Sequence, residues 1–203
     1  TGGYNVAIGY GAMRTPTGLT GNVAIGWNAL TSMSGSAGGK YNTAVGYGSG
    51  DNVTTADSLV VIGASAGSAI TTGNDNTAVG YLALNQVETS GSNTAVGHWA
   101  GYHTMGNSNT YIGEGAGYSG ASADHGSNNV AVGRGSMYYG DNINNSVAIG
   151  KNSLLYGNAN TTSTVAVGYL SGNYATGSSN TFVGSEAGKG GTTSAPFSSG
   201  ENN

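Results

Sequence analysis

The sequence contains no cysteine. A disulfide framework and a thiolate metal site are therefore excluded. Proline is nearly absent, at two residues in 203. Collagen would need abundant proline and glycine at every third position, and neither is present. Charge is scarce: Asp, Glu, Lys and Arg make up 7% of the chain, against about 25% in an ordinary soluble domain. That scarcity excludes a helical protein rich in Leu, Ala, Glu and Lys. Five Lys and Arg stand against nine Asp and Glu. This balance complements phosphate poorly, so no nucleic-acid partner is expected. No apolar run reaches the ~18 residues of a spanning helix, so no membrane span is expected in this segment.

What the sequence has instead is glycine, 39 residues of it, and a repeat. The motif N-[VT]-A-[IV]-G and its close variants recur eleven times along the chain. The motif glycines are Gly9, Gly26, Gly46, Gly63, Gly80, Gly97, Gly113, Gly133, Gly150, Gly168 and Gly184. Successive spacings run from 16 to 20 residues. The repeats fill residues 1–203 as a single repeat domain, with no linker. Disorder is the competing reading of a Gly-, Ser-, Asn- and Thr-rich composition. Low charge and β-branched residues held in strict register argue against it.

Each column of the repeat has a physical reading. The residue before the glycine is always Ile or Val: Ile8, Ile25, Val45, Ile62, Val79, Val96, Ile112, Val132, Ile149, Val167 and Val183. Two residues earlier stands Val or Thr, from Val6 to Thr181. Both are β-branched and share one face of a strand, which is expected to point inward. Between them stands Ala in eight repeats; Val61, Tyr111 and Phe182 are the exceptions. A uniform small column implies that the second face is also closely packed. Asn opens the strand in eight repeats. It suits a corner, because it tolerates left-handed backbone, and stacked copies can form hydrogen-bonded ladders. The glycine then permits a bend. Two variable residues follow, then Ala or Ser in all eleven repeats, read as the start of a second short extended side. Runs such as TGLTG, GSAGG and TGSS are turns that absorb the length differences.

One strand, a corner, a second side and a turn make one coil of a β-solenoid. The expected fold is thus an all-β β-solenoid, or β-roll, of about eleven coils. A β-propeller needs ~40 residues per blade, well above this period. Calcium-binding nonapeptide repeats need regularly placed Asp, which is absent.

The strings NSVAIGKNSL, NTAVGYLAL and NTAVGHWAG resemble the head repeats of trimeric autotransporter adhesins, and are similar to head-like repeats of phage tail fibres. The resemblance covers essentially all eleven repeats. It implies a β-roll whose three chains pack in parallel around a shared axis; the uniform Ala column, read separately from the residues, fits the seam of such a trimer. It also implies an extracellular, cell-surface or virion location.

No catalytic constellation is visible, and neither an enzyme nor a cofactor is expected. His98 and His103 share one coil, but no complete ligand set accompanies them or His125. No G-x-S-x-G elbow occurs. In register, His98, Glu114 and Arg134 form a surface charge ladder that Lys151 opposes. The aromatics stand out, with 13 Tyr and 2 Trp against 2 Phe. Tyr10, Trp27, Tyr47, Tyr81 and Tyr169 follow the motif glycine directly, and Trp99 stands one further on. They either stack on one another along the column, or form a stripe in which Trp27, Tyr47, Tyr81 and Trp99 contact a glycan or protein receptor. An ice-binding array is disfavoured, because the Thr column is assigned to the inward face.

The chain opens in phase at TGGYNVAIG and closes at SSGENN, which matches the lead-in to a further repeat. A segment of a longer fibre is therefore expected, giving rigidity and attachment to a host surface. The alternative is a filament subunit that stacks end to end through its open edges.

Overall fold

A computed structural model describes residues 2–15, 17–34, 38–119, 126–158 and 160–191. It is an all-β parallel β-solenoid of about ten turns. The chain divides into two compact units, Thr1–Tyr102 and His103–Asn203. The first holds β1 (Val6–Ile8), β2 (Val23–Ile25), β3 (Thr43–Val45), β4 (Val60–Ile62), β5 (Thr77–Val79) and β6 (Thr94–Val96). The second holds β7 (Thr110–Ile112), β8 (Val130–Val132), β9 (Val147–Ile149), β10 (Val165–Val167) and β11 (Thr181–Val183). Every strand is three residues long and coincides with the motif. Within each unit consecutive strands pair in parallel and in register: Ala24 lies beside Ala44, and Ala131 beside Ala148. SSGENN and His125 lie outside the described residues.

The two strand faces are reversed relative to the sequence expectation. The Ala column points into the coil. Ala24, Ala44, Ala78, Ala95, Ala131, Ala148 and Ala166 are fully buried. The column of Ile8, Ile25, Val45, Ile62, Val79, Val96, Ile112, Val132, Ile149, Val167 and Val183 points outward, half-buried to exposed. The Val/Thr column lies on the same outward face. Alternation puts these columns on opposite faces but does not say which is inside. The narrow lumen decides. The lumen is filled from the other walls by Leu30, Leu84, Met137 and Leu154, four residues after the motif glycine, and by Met33, Val53, Ile70 and Val87, seven after it. Little room is left opposite them, so the strand contributes Ala.

The exceptions follow the same volume rule. Tyr111 and Val61 are fully buried in the Ala column. The residue four after the motif glycine is then Gly: Gly67 opposite Val61, Gly117 against the Tyr111 ring, and Gly188 and Gly172 around Phe182. A Cβ on Gly67 would lie 2.7 Å from Val61 Cγ1. Large residues in one wall are thus matched by glycine in the facing wall.

The side after the glycine is not an extended strand. The second and fourth residues after it adopt left-handed backbone, as in Asn28 and Leu30 (φ 54° and 51°) or Leu82 and Leu84 (φ 57° and 48°). Their amides bond alternately to the preceding and the following coil: Asn28 N–H donates to Tyr10 O at 2.8 Å, and Leu30 N–H to Ser49 O at 3.1 Å. Linear stacking is preserved although the wall is built of turns.

The Asn column forms a buried ladder, but it runs from side chain to backbone. Asn42 N–H donates to Asn22 Oδ1 at 2.9 Å, Leu59 N–H to Asn42 Oδ1 at 2.9 Å, and Asn42 Nδ2 to Ala56 O at 2.8 Å. The second unit repeats this at Asn109 and Asn129, and Ser146 Oγ takes over as acceptor for Thr164 N–H at 3.1 Å. Leu59 interrupts the column and offers the Asn76 amide no side-chain acceptor. The left-handed residue at this corner is the one before the column position, such as Tyr41 and Asp75 before Asn and Ser58 before Leu59 (φ 59–60°).

Candidate functional site: aromatic ladders and an uncharged sheet face

Three surface features carry chemistry. The first is the aromatic column after the motif glycine. In the first unit Trp27 stacks on Tyr47, with centroids 4.6 Å apart and planes 8° off parallel, and Tyr10 stacks more loosely on Trp27 at 6.4 Å. Gly48 N–H donates to Trp27 O at 2.8 Å, tying the two corners together. Tyr81 and Trp99 meet through His98, which lies 5.4 Å from Tyr81 and 4.3 Å from Trp99. Ala64 occupies the column between Tyr47 and Tyr81, so the four residues form two clusters, not one stripe. All four are at least one-third exposed. In the second unit Glu114 Oε2 lies 3.2 Å from Arg134 Nε, with both side chains more than half exposed. Lys151 turns from Arg134 to Tyr169, with its Nζ 5.9 Å from the ring centroid.

The second feature is a tyrosine ladder in the second unit, absent from the sequence reading. Tyr118 stacks on Tyr138 at 4.6 Å, Tyr139 on Tyr156 at 5.1 Å, and Tyr156 on Tyr174 at 4.8 Å. Tyr138 and Tyr139 meet edge to face at 4.7 Å. These residues stand five or six after their motif glycines. Carrying the register alignment that far into the variable turns would have found them. Backbone bonds fix the spacing: Tyr139 N–H donates to Leu155 O at 2.8 Å and Tyr156 N–H to Asn173 O at 2.9 Å.

Burial pushes the Tyr156 phenol above the usual tyrosine range, and Tyr174 and Tyr139 add to the shift. Burial also raises Tyr138, with contributions from Tyr118, Tyr139 and Glu114. A raised acid keeps its proton longer in the folded chain than in the unfolded one. The folded state then binds more protons at alkaline pH, so stability is intact below about pH 10 and falls as pH rises through the folded pKa. Thermal melts from pH 9 to pH 11.5 are expected to show this fall. The double variant Tyr138→Phe, Tyr156→Phe is expected to show a shallower one. An equal slope in both proteins would remove the ladder as its cause.

The third feature is the outward sheet face. Its two columns hold only Val, Ile and Thr over all eleven strands. Ile62, Val96 and Ile149 are about two-fifths exposed, and Ile8 58%. Thr43, Thr77 and Thr94 also lie on this face, contrary to the inward assignment that disfavoured ice binding. They alternate irregularly with Val, so no regular hydroxyl array forms.

Among the described residues, no group of three His, Asp or Glu side chains gathers to hold a metal ion. Among them, too, no helix is long and apolar enough to cross a membrane. Compared with protein-family models, curated proteins and solved structures, the chain finds no match.

Proposed function

We propose that the chain is a structural, non-enzymatic segment of an extracellular or virion fibre, of the tail-fibre or surface-adhesin kind, that works as a parallel homotrimer. Its role is rigidity and attachment to a glycan or protein on a host surface. One observation carries the reading: the uncharged outward face of Val, Ile and Thr, repeated in every strand. A lone soluble chain rarely leaves so continuous an apolar surface in water. Two further copies are the occupants that fit. Each brings the same columns at the same ~4.8 Å repeat, so three such faces match along their length around one axis. With no charge in either column, no ion is stripped of water on contact. The seam is therefore the Val/Ile face and not the Ala column, which each chain buries within its own coil. Trp27, Tyr47, Tyr81 and Trp99, on the corners, remain available for attachment.

Light scattering on a size-exclusion column tests this. A trimer of 19.9 kDa chains has a mass near 60 kDa, three times one chain. Val79→Lys with Ile149→Lys is expected to reduce it to a single-chain mass while circular dichroism stays that of the parent. A single-chain mass for the unaltered protein overturns the trimer. Large species of mixed length would instead favour the end-to-end filament.

A further inference from the structure

Beside the tyrosine ladder lies a shallow cavity of about 230 Å³, lined by Tyr139, Tyr156 and Tyr174 on one side and Asp141, Asn158 and Thr176 on the other. The two sets are two columns of the same wall. The tyrosines stand six residues after their motif glycines and the polar residues eight. The residues between them, Gly140, Gly157 and Ala175, are buried. Two outward positions of one wall are ~7 Å apart, and each column repeats at ~4.8 Å along the stack. The result is a groove with an aromatic bank and a polar bank.

We infer that this groove binds a neutral, extended polysaccharide chain. The tyrosine faces are largely covered by one another, with Tyr139, Tyr156 and Tyr174 within 6–9° of parallel. They offer the groove ring edges and phenol hydroxyls in a regular row. The next residue in that column is Gly190, so no side chain from the column covers the far face of Tyr174. That face is a platform for the C–H side of one pyranose.

The opposite bank supplies the polar contacts. The Asp141 carboxylate, Asn158 Nδ2 and the Thr176 hydroxyl have no hydrogen-bond partner among the described residues. The first accepts, the second donates, and the third does both. That mixture suits vicinal sugar hydroxyls. Asp141 is the one charged residue lining the cavity. With no Lys or Arg among the described residues that line the cavity, an anionic sugar such as a uronate or sialate meets repulsion. A β-1,4-linked chain fits the groove because each sugar advances it by about one coil.

The groove is already formed. Asp141 N–H donates to Gly157 O at 3.3 Å and Tyr174 N–H to Lys189 O at 3.0 Å, so both banks are fixed to the stacked backbone. In the first unit the corresponding wall holds Ser32, Asn52 and Ala69 on the near column, with Thr54, Thr71 and Glu88 opposite. It lacks the aromatic bank, so the second unit carries the site.

Titration calorimetry with cellohexaose and chitohexaose tests the inference, with a hexamer of polygalacturonate as the anionic comparison. Saturable binding of at least one neutral hexamer is expected, with at least tenfold weaker binding of the anionic one. Asp141→Ala and Tyr156→Ala are each expected to weaken binding tenfold or more. Asp141→Ala with Asn158→Ala serves if Tyr156→Ala disturbs the stack, since both residues are surface side chains. No saturable binding of either neutral hexamer, equal binding of the anionic one, or unchanged affinity in the Asp141 and Asn158 variants would each overturn the site. The inference does not rest on the trimer: mass and glycan binding are read separately, and either can fail alone.

Discussion

Gly63→Ala is expected to destabilise the protein by at least about 3 kcal/mol, because it meets two penalties at once. The first is conformational. Gly63 has φ +132°, and all eleven motif glycines fall between +122° and +139°. That region is essentially closed to residues with a Cβ, and such strain costs about 1–3 kcal/mol. The second is steric. An added Cβ would lie 2.5 Å from Gly80 O and 2.7 Å from Gly80 C in the next coil. Those atoms are backbone, and they belong to the ladder in which Gly80 N–H donates to Ile62 O at 2.8 Å. Relief would require parting the coils.

Two further substitutions separate these terms. Gly184 has φ +130°, but a Cβ there would meet only Ala187 Cβ, at 3.8 Å, among the described residues. Gly184→Ala is expected to cost the strain alone, about 1–3 kcal/mol. Gly3 has neither a positive φ nor, among the described residues, any atom within 4 Å of its Cβ position. Gly3→Ala should lie within about 0.5 kcal/mol of the parent. Urea denaturation followed by circular dichroism ranks the three. Equal losses at Gly63 and Gly184 would show that inter-coil contact contributes nothing to the motif glycine.

The Asn ladder gives the second large effect. Asn42→Ala removes the acceptor of Leu59 N–H and the donor to Ala56 O. Asn42 is fully buried, so no water replaces it. Each of the two orphaned groups costs about 1–3 kcal/mol, for a loss of about 2–6 kcal/mol. Asn5, half-buried at the start of the same ladder, is expected to lose about 1 kcal/mol on the same change.

Asn42→Asp adds a signature that mere loss of packing lacks. The carboxylate keeps the Leu59 bond but faces the Ala56 carbonyl with no proton to give. Burial raises its pKa in the folded state above the unfolded value. Stability is then present below the unfolded carboxyl pKa, about 4, and is lost as pH rises through the folded one. The variant should approach the parent near pH 4 and fall furthest behind at pH 7. A deficit independent of pH would mean that the side-chain amide is not the rung of the ladder.

Much of this architecture was legible in the residues. The eleven strands sit on the eleven motifs because β-branched residues flank a small one immediately before a glycine, and the period allowed one such strand per coil. The motif glycines marked bends that no other residue makes. Tyr118, Tyr138, Tyr139, Tyr156 and Tyr174 escaped notice because they lie in turns of unequal length. Their common offset from the motif glycine can be counted in the sequence, but only the stacking of coils brings their rings face to face. Trp27, Tyr47 and Tyr81 were visible as a column with Trp99 one position beside it, but Ala64 divides the four into two clusters, and only the ring positions show that His98 joins Tyr81 to Trp99.

By itself, the sequence determined the strand positions, the parallel in-register stacking and the need for glycine at each bend, since these follow from local sterics and a regular period. The tertiary structure decided which strand face is the core. A two-residue alternation is symmetric between its faces, and a hydrophobicity argument alone turns Val and Ile inward. The lumen is bounded by Leu, Met, Val and Ile from the other walls, and the space they leave takes alanine. Filling volume overrode burying the largest apolar side chains. For that reason the Val, Ile and Thr columns face outward.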